Sequence, residues 1–367
     1  MSRITYASTG VDYGVLDPFK RRAQLAASHT AGALKRFGMS EVALSRGESV
    51  YLVETADSFL AHVEEGLGTK NLVADAMYRL VPGRTYYDHI AQDTVAMIVN
   101  DMITLGALPA AVAMHLAAGS SDWFKDERRA DDLIDGWRNA CDLSRCAWSG
   151  GETPTLTGLV EPGTVVLAGS AIGVIKPKSR LIRGDVQPGD AIVLIESSGI
   201  HANGLTLARA IADRAANGYL TLLGDGRPYG DALLDPTHIY VGLVEECLNR
   251  AVDIHYAANI TGHGWRKLMR APASLAYVIE RIPEPQPVFT FIQSVGQIED
   301  VEAYGNLNMG AGFALYVPEK AVAEVLDVAT AFPFRAFRAG HVETSSAKKV
   351  VIAPKQLEYA AATLDVR

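Results

Sequence analysis

The string VEEGLGTK, residues 63–70, places two glycines, a hydroxyl and a lysine directly after an acidic pair. Those residue types suit polyphosphate chemistry. Gly66 and Gly68 let backbone N–H groups approach phosphate oxygens, Thr69 donates a hydrogen bond, and Lys70 supplies positive charge. Glu64 or Glu65 could hold a magnesium ion beside them. The spacing is not that of a Walker A loop, whose glycines lie further apart and whose lysine precedes the hydroxyl. A strand ending in a glycine turn accounts for the same string.

Four other turns carry comparable chemistry. WSGGETPTLTG, 148–158, sets Gly150 and Gly151 before Glu152, a carboxylate able to bind metal or orient a nucleophile. SSGIHANGLTLARAI, 197–211, crowds Ser197, Ser198, His201, Asn203 and Gly204 into a turn that opens into a helix. Free N–H groups at such a start favour an anion, and a histidine there changes charge near neutral pH unless it serves as a cap. ITGHGWRKLM, 260–269, and NLNMGAGF, 306–313, repeat the pattern of glycine and polar residues at a strand end. Proteins with alternating strands and helices gather ligands at such ends.

A sixth feature is a helix rather than a turn. In HIAQDTVAMIVNDM, 89–102, Val95, Ile98, Val99 and Met102 share one face, while Asp93, Met97, Asn100, Asp101 and Thr104 fall on the other side. Eight residues separate Asp93 from Asp101, so their Cα atoms are about 12 Å apart and cannot chelate one ion directly. They would serve different points of an extended ligand, or form an ordinary solvated face.

The elements that must position these groups alternate along the chain. Short β-prone runs at 50–64 precede the glycine loop, a helix is expected over 84–107, and strands are expected at 107–119, 145–152 and 164–175, with an amphipathic helix at 126–141. The segment 176–190 is rich in proline, glycine and charge, and it sets a domain boundary near residue 175. The expected domains are 1–175 and 176–367. The second series holds a strand at 191–199, helices after Asn203 and near 237–250, a strand at 252–259, a helix at 287–295, a strand at 311–317, a helix at 319–329 and two final strands. The fold class is α/β or α+β in both halves.

Composition narrows the function classes. With 367 residues the chain exceeds the size of one comfortable core. It carries 34 basic against 42 acidic side chains, a net charge of -8, which disfavours duplex nucleic acid as a partner. The N-terminus lacks a signal-peptide core and no apolar run approaches a membrane span, so a soluble, cytoplasmic protein without a membrane partner is expected. Cys141, Cys146 and Cys247 form neither a CxxC motif nor a zinc site, and reduced, buried thiols are expected.

Taken in order, GVDYG, EGLGTK, QDTVAMIVNDM, GGET, SSGIHANGLTLAR, DPTHIYV, ITGHGW and NMGAGF resemble the phosphoribosylformylglycinamidine cyclo-ligase (aminoimidazole ribonucleotide synthetase) family, from about Tyr6 to Val351. The resemblance implies an N-terminal domain that dimerises through its sheet, a C-terminal mixed α/β domain, and ATP in a cleft involving a homodimer. It implies ATP- and Mg2+-dependent ring closure of formylglycinamidine ribonucleotide in purine biosynthesis. Position by position, it implies that Gly66, Gly68, Thr69 and Lys70 form a phosphate loop and that Asp93, Asn100 and Asp101 belong to a nucleotide- and magnesium-binding helix. It assigns His201, with Asn203 and Gly204, to the transferred phosphate or the substrate proton, and it matches Lys20 to a lysine near the family's N-terminus. Gly150 and Gly151 would join the nucleotide contacts, and Glu65 and Glu152 the metal ligands.

Three departures stand out. Glu65 replaces the family's usual Asp, GGETPTLTG replaces GGETAEMPG, and GHGW puts His263 into a three-glycine turn. They leave open ATP-dependent activation of a different amide or phosphate, as in the selenophosphate synthetase and thiamine-monophosphate kinase relatives, or a silent nucleotide-binding relative.

Overall fold

The computed structural model describes residues 9, 10 and 12–364; Tyr6, where the family resemblance starts, and Val11 of GVDYG lie outside them. Two sheets divide the chain. In the first half, helix α1 (Tyr13–Ser28) precedes β1 (Ser40–Glu41), β2 (Tyr51–Glu54) and β3 (Phe59–Gly66), and helices α2 (Lys70–Leu80) and α3 (Tyr87–Met102) follow. Strand β4 (Leu108–Ala118), helix α4 (Glu127–Leu143), β5 (Ala147–Glu152) and β6 (Val165–Ile175) complete it. The strand order is β1-β2-β3-β6-β4-β5, antiparallel except for the β4/β5 pair.

The alternation of apolar and polar residues along β3 buries Phe59, Ala61 and Val63 on one face and leaves Leu60, His62 and Glu64 on the other. Helices α3 and α4 cover the buried face. The opposite face carries exposed Leu60, Val166 and Ile172, the last 60% exposed. Such an apolar sheet face on an otherwise polar surface marks an interaction area.

The second half holds β7 (Asp190–Glu196), helices α5 (Leu205–Ala212), α6 (Tyr229–Leu233) and α7 (Val241–Asn249), then β8 (Tyr256–Asn259) and β9 (Leu275–Ile279). Helices α8 (Pro287–Gly296) and α9 (Asp300–Asn306), β10 (Ala311–Pro318), α10 (Val322–Ala329), β11 (Ala336–Thr344), β12 (Lys349–Ile352) and β13 (Leu357–Ala360) follow. The order is β13-β12-β9-β11-β7-β10-β8, with β12/β9 the parallel pair. The unbroken apolar runs of β7 and β10 suit their burial on both faces at the centre of this sheet. Cys141 and Cys247 are buried free thiols, and Cys146 is half-buried.

Two expectations need correction. The helix expected over 84–107 runs from Tyr87 to Met102 and ends in a tight 3-10 turn, Ile103–Leu105, before Gly106 at φ +84°. The helix expected near 237–250 starts only at Val241. Residues 235–240 stay outside helix and sheet, and side chains of α3, with Lys70 of α2, take up their backbone groups. Strands β1, β9 and β13 and helices α1, α2, α6 and α9 were not anticipated; β13, LEYA, is too short to show a period.

Candidate active site

The polar stripe of α3 is neither a solvated face nor an open ligand platform. It is a seam between the two halves of the molecule. The Asp93 Oδ1 accepts from the Thr237 backbone N–H at 2.8 Å, from its hydroxyl at 2.5 Å and from Lys70 Nζ at 2.9 Å. Lys70 also donates to the Asp235 carbonyl at 2.8 Å. Gln92 donates to the Thr237 carbonyl, and Asn100 donates to the His238 carbonyl while accepting from the Tyr240 N–H at 2.9 Å. The DPTHIY segment is thereby laced along one helix, and its backbone needs no sheet or helix partner.

This seam corrects three assignments. Lys70 and Asp93 are both 0% exposed and form a buried ion pair, with the Asp93 Oδ2 2.8 Å from Lys70 Nζ. Burial drives the Asp93 carboxyl above its ordinary range against the pull of Lys70. Neither group is presented to a phosphate or a metal ion. Asn100 is likewise consumed by His238 and Tyr240 rather than offered to a nucleotide.

One residue earlier the picture reverses. Gly66 and Gly68 are exposed, Gly68 adopts φ +80°, and Thr69 stands at the N-terminus of α2 with no capping hydrogen bond from its side chain. The Thr69 Oγ1 is buried and has no hydrogen-bond partner. An uncapped helix start with an orphaned hydroxyl suits an anion such as a phosphate.

The SSGIHANG turn opens α5 but is closed to ligands at its histidine. His201 lies at φ +61° and is buried, with its Nε2 accepting from the Ser198 N–H at 3.2 Å. Burial holds its basicity far below the ordinary histidine range, with His238 and Lys70 adding repulsion. Gly312 of NMGAGF is required here: a Cβ would sit 2.0 Å from the Tyr240 hydroxyl and 2.6 Å from the His201 ring. His201 is therefore a neutral organiser of the turn, not a group facing the transferred phosphate. Gly204, at φ +85°, starts α5, while Asn203 reaches the cavity described next. A Cβ on Gly68 would stand 4.0 Å from the Ala202 carbonyl, so the two turns meet.

The cavity where they meet encloses about 410 Å³. Glu65, Asp101, Asn203, Lys20, His263 and Lys267 line it, with Arg270 beside Glu48 at its rim. Asn259 fixes Asp101 by donating to its Oδ1 at 2.7 Å. Burial, then the neighbouring Asp101 charge, pushes the Glu65 carboxyl up to about 7. Lys20 reaches the cavity from α1, 3.7 Å from Asp17. His263, at φ +68°, stands 3.4 Å from Asp17, and burial first, then the cations around it, lower its pKa to about 3. The ring does not titrate near neutrality. A larger concavity, about 630 Å³ between residues 177–185 and 248–254, contains none of the glycine turns.

Among the described residues, no three His, Cys, Asp or Glu side chains converge as a metal cage. Two carboxylates on one cavity nevertheless fit magnesium, which uses one or two carboxylates and completes its shell with phosphate oxygens and water. Glu65 and Asp101 meet that description, and Asp93 does not.

Gly150, Gly151 and Glu152 are not brought to this cavity. They lie on the exposed edge strand β5, separated from β3 by β6 and β4, about 14 Å across the sheet. Gly151 is needed for packing, since a Cβ there would lie 2.0 Å from the Met114 carbonyl. Lys267, Arg270 and Asn259 were not assigned from sequence. The spacing of Lys267 and Arg270 after the ITGHG turn was a readable signal, but Arg266 shared it and instead ties down the Gly305 and Thr363 carbonyls.

Comparison with known proteins gives the family of the two-sheet fold. Residues 47–175 match AIR synthase related protein, N-terminal domain, and residues 187–353 match its C-terminal domain. A phosphoribosylformylglycinamidine cyclo-ligase of Methanothermobacter thermautotrophicus is 34% identical over 89% of this chain and 91% of its own length. One from Methanosarcina acetivorans is 33% identical over 89% and 92%. Among solved structures, Thermotoga maritima PurL complexed with FGAR aligns at TM-score 0.59 and 15% identity, covering 92% of this chain and 50% of that one. Thiamine-monophosphate kinase from Stenotrophomonas maltophilia aligns at TM-score 0.56 and 17% identity, over 85% and 90%. These two likenesses speak to fold alone. The two matched domains and the near full-length relatives make this chain a member of the phosphoribosylformylglycinamidine cyclo-ligase family.

Proposed function

We propose that this protein is an ATP- and Mg2+-dependent cyclo-ligase that converts formylglycinamidine ribonucleotide to aminoimidazole ribonucleotide, with release of ADP and phosphate, in de novo purine biosynthesis. The γ-phosphoryl group passes to the formyl amide oxygen; the amidine nitrogen then attacks that carbon and expels phosphate, closing the ring. Such a reaction needs stabilised phosphoryl charge and a positioned nucleophile rather than a covalent enzyme group. The observation that carries the reading is the open Gly66–Thr69 loop with its unpartnered hydroxyl, set against a cavity lined by Glu65, Asp101, Lys20 and Asn203.

In this reading the loop N–H groups and Thr69 hold phosphate oxygens. Glu65 and Asp101 would hold magnesium, which supplies charge neutralisation to the polyphosphate when bound. Lys20 and Asn203 would orient the substrate. Lys70, Asp93 and Asn100 set the angle between the two domains, whose boundary we place near residue 175, and His201 shapes the floor.

The exposed apolar face of the first sheet, with Leu60, Val166 and Ile172, supports a homodimer. Pairing through that face gives Gly150, Gly151 and Glu152 a route to a partner's cleft. No helix among the described residues is long and apolar enough to cross a membrane, and we place the enzyme in the cytoplasm. His263, whose ring stands in the cavity wall, supports a second reading in which another amide is activated by the same chemistry.

The test is purified protein with formylglycinamidine ribonucleotide, ATP and magnesium, followed for aminoimidazole ribonucleotide and ADP. Both products should appear in equal amounts. No substrate-dependent ADP would overturn the cyclo-ligase reading, and ADP formed only with another amide would favour the second.

A further inference from the structure

Helix α1 is built the wrong way round for a helix that packs on a core. Val15, Phe19 and Leu25 face solvent, whereas Asp17 is the buried member among its described side chains, 5% exposed. Arg21, Gln24 and Ser28 are half-buried on the same stripe as Asp17. Apolar burial therefore contributes little to holding α1 in place. Near its C-terminal end Arg46 donates to the Gln24 carbonyl at 3.3 Å. In its first turns Asp17 makes the contact: its Oδ2 lies 3.4 Å from Nε2 of His263, and its Oδ1 lies 3.7 Å from Lys20 Nζ. One carboxylate thus stands between a ring of the second domain and the lysine that enters the cavity.

His263 is fitted to receive that carboxylate. Its turn is rigid: a Cβ on Gly264 would lie 2.4 Å from the Tyr304 carbonyl, and the buried Trp265 donates to the Asn308 carbonyl at 2.7 Å. With its pKa lowered to about 3 the ring is neutral, so what it offers to Asp17 is a ring N–H. A residue with a β-carbon is strained at φ +68°, where glycine would not be, and such strain persists where the side chain has a role. We propose that His263 is the dock of α1: it holds Asp17, and Asp17 aims Lys20 into the cavity, which makes His263 a positioning residue for Lys20. The consequence for turnover rests on the cyclo-ligase reading, in which Lys20 orients the substrate; the docking itself does not.

Limited digestion of the nucleotide-free protein by trypsin tests the dock directly, because Lys20, Arg21 and Arg22 lie on α1 and a lone helix of 16 residues is marginal in water. Cleavage after these residues, followed by mass spectrometry, should rise several-fold in His263→Gly and in Asp17→Ala, and no further when the two are combined. Glycine suits the backbone at φ +68° and alanine favours a helix, so the gain reports undocking rather than unwinding. Unchanged cleavage in His263→Gly, or gains that multiply in the double variant, would overturn the proposal. Should His263→Gly not fold, Asp17→Ala decides alone, since α1 lies outside both sheets, and unchanged cleavage there overturns the proposal equally. Turnover separates positioning from packing: Lys20→Ala should lower kcat/KM at least about tenfold in the natural protein and no more than about threefold in His263→Gly. Equal losses in both backgrounds would overturn the positioning role. If the cyclo-ligase assay yields no product, that reading fails while the digestion still decides the dock.

Discussion

Two glycine turns lead into helices α2 and α5, and they differ in what they leave unpaired. The loop before α2 ends on exposed glycines, an uncapped helix start and the orphaned Thr69 Oγ1. The turn before α5 is filled: His201 accepts from Ser198, its ring packs on Gly312 and Tyr240, and the Ser198 hydroxyl donates to the Pro236 carbonyl. Both strings advertise phosphate chemistry through glycine, hydroxyl and basic residues. The open one leaves its hydroxyl for a ligand; in the closed one Asn203 reaches the cavity, while Ser198 and His201 are held by partners within the second half of the chain.

The boundary between the two behaviours runs between Thr69 and Lys70, and the largest expected effect lies there. Lys70→Ala should destabilise the protein by about 3–5 kcal/mol, because it strands the Asp93 carboxylate in a site that excludes water. Denaturant unfolding measures this. If stability is unchanged while ATP affinity falls, Lys70 belongs to the open loop and the seam has been misjudged. Thr69→Ala should do the opposite, weakening ATP binding about tenfold, the loss of one hydrogen bond to a charged group, with little change in stability. Isothermal titration with ATP and Mg2+ distinguishes the pair, and a Thr69→Ala variant with natural affinity would remove that hydroxyl from the site.

These contrasts mark how far the sequence was legible. The two sheets, the amphipathic α4 and the unbroken strands β7 and β10 follow from periodicity, and the glycine turns were found where they lie. What the chain did not reveal was pairing at a distance. Lys70 and Asp93 stand 23 residues apart and meet Thr237 from the other domain, a partnership that no spacing rule encodes. The same holds for Lys267, which shares a cavity with Glu65 and Asp101 of the first domain. Polar residues in a buried seam and polar residues in an open cleft look alike until their partners are known.

A smaller effect separates the two carboxylates of the cleft from the seam. Glu65 titrates near 7 in the folded chain, well above the ordinary glutamate value. Protonated Glu65 thus contributes stability that is fully present below about pH 4.5 and is lost as the pH rises through 7. Glu65→Gln, which stays neutral throughout, should match the natural protein near pH 4.5 and exceed it by about 1–2 kcal/mol at pH 8, measured without metal. The figure is discounted because part of Glu65 faces the cavity. A Tm difference that does not grow between pH 5 and 8 would mean that Glu65 is ionised and well compensated in the empty cleft.

The closed turn makes the smallest prediction, and it is the one that most directly opposes a proton-transfer role for its histidine. A ring buried against Gly312, with Lys70 and His238 adding repulsion, stays neutral across the range in which an ordinary histidine titrates. The pH profile of kcat/KM between 6 and 8 should therefore carry no inflection belonging to His201. His201→Asn tests this well, because asparagine tolerates the left-handed backbone at φ +61°. The variant should lose about 1–2 kcal/mol of stability from the missing Ser198 hydrogen bond and ring packing, and its profile should keep the natural shape. An inflection near pH 6.5 in the natural enzyme that vanishes in His201→Asn would reverse the assignment: the turn would have to open during the reaction, and both glycine turns would then face the phosphate.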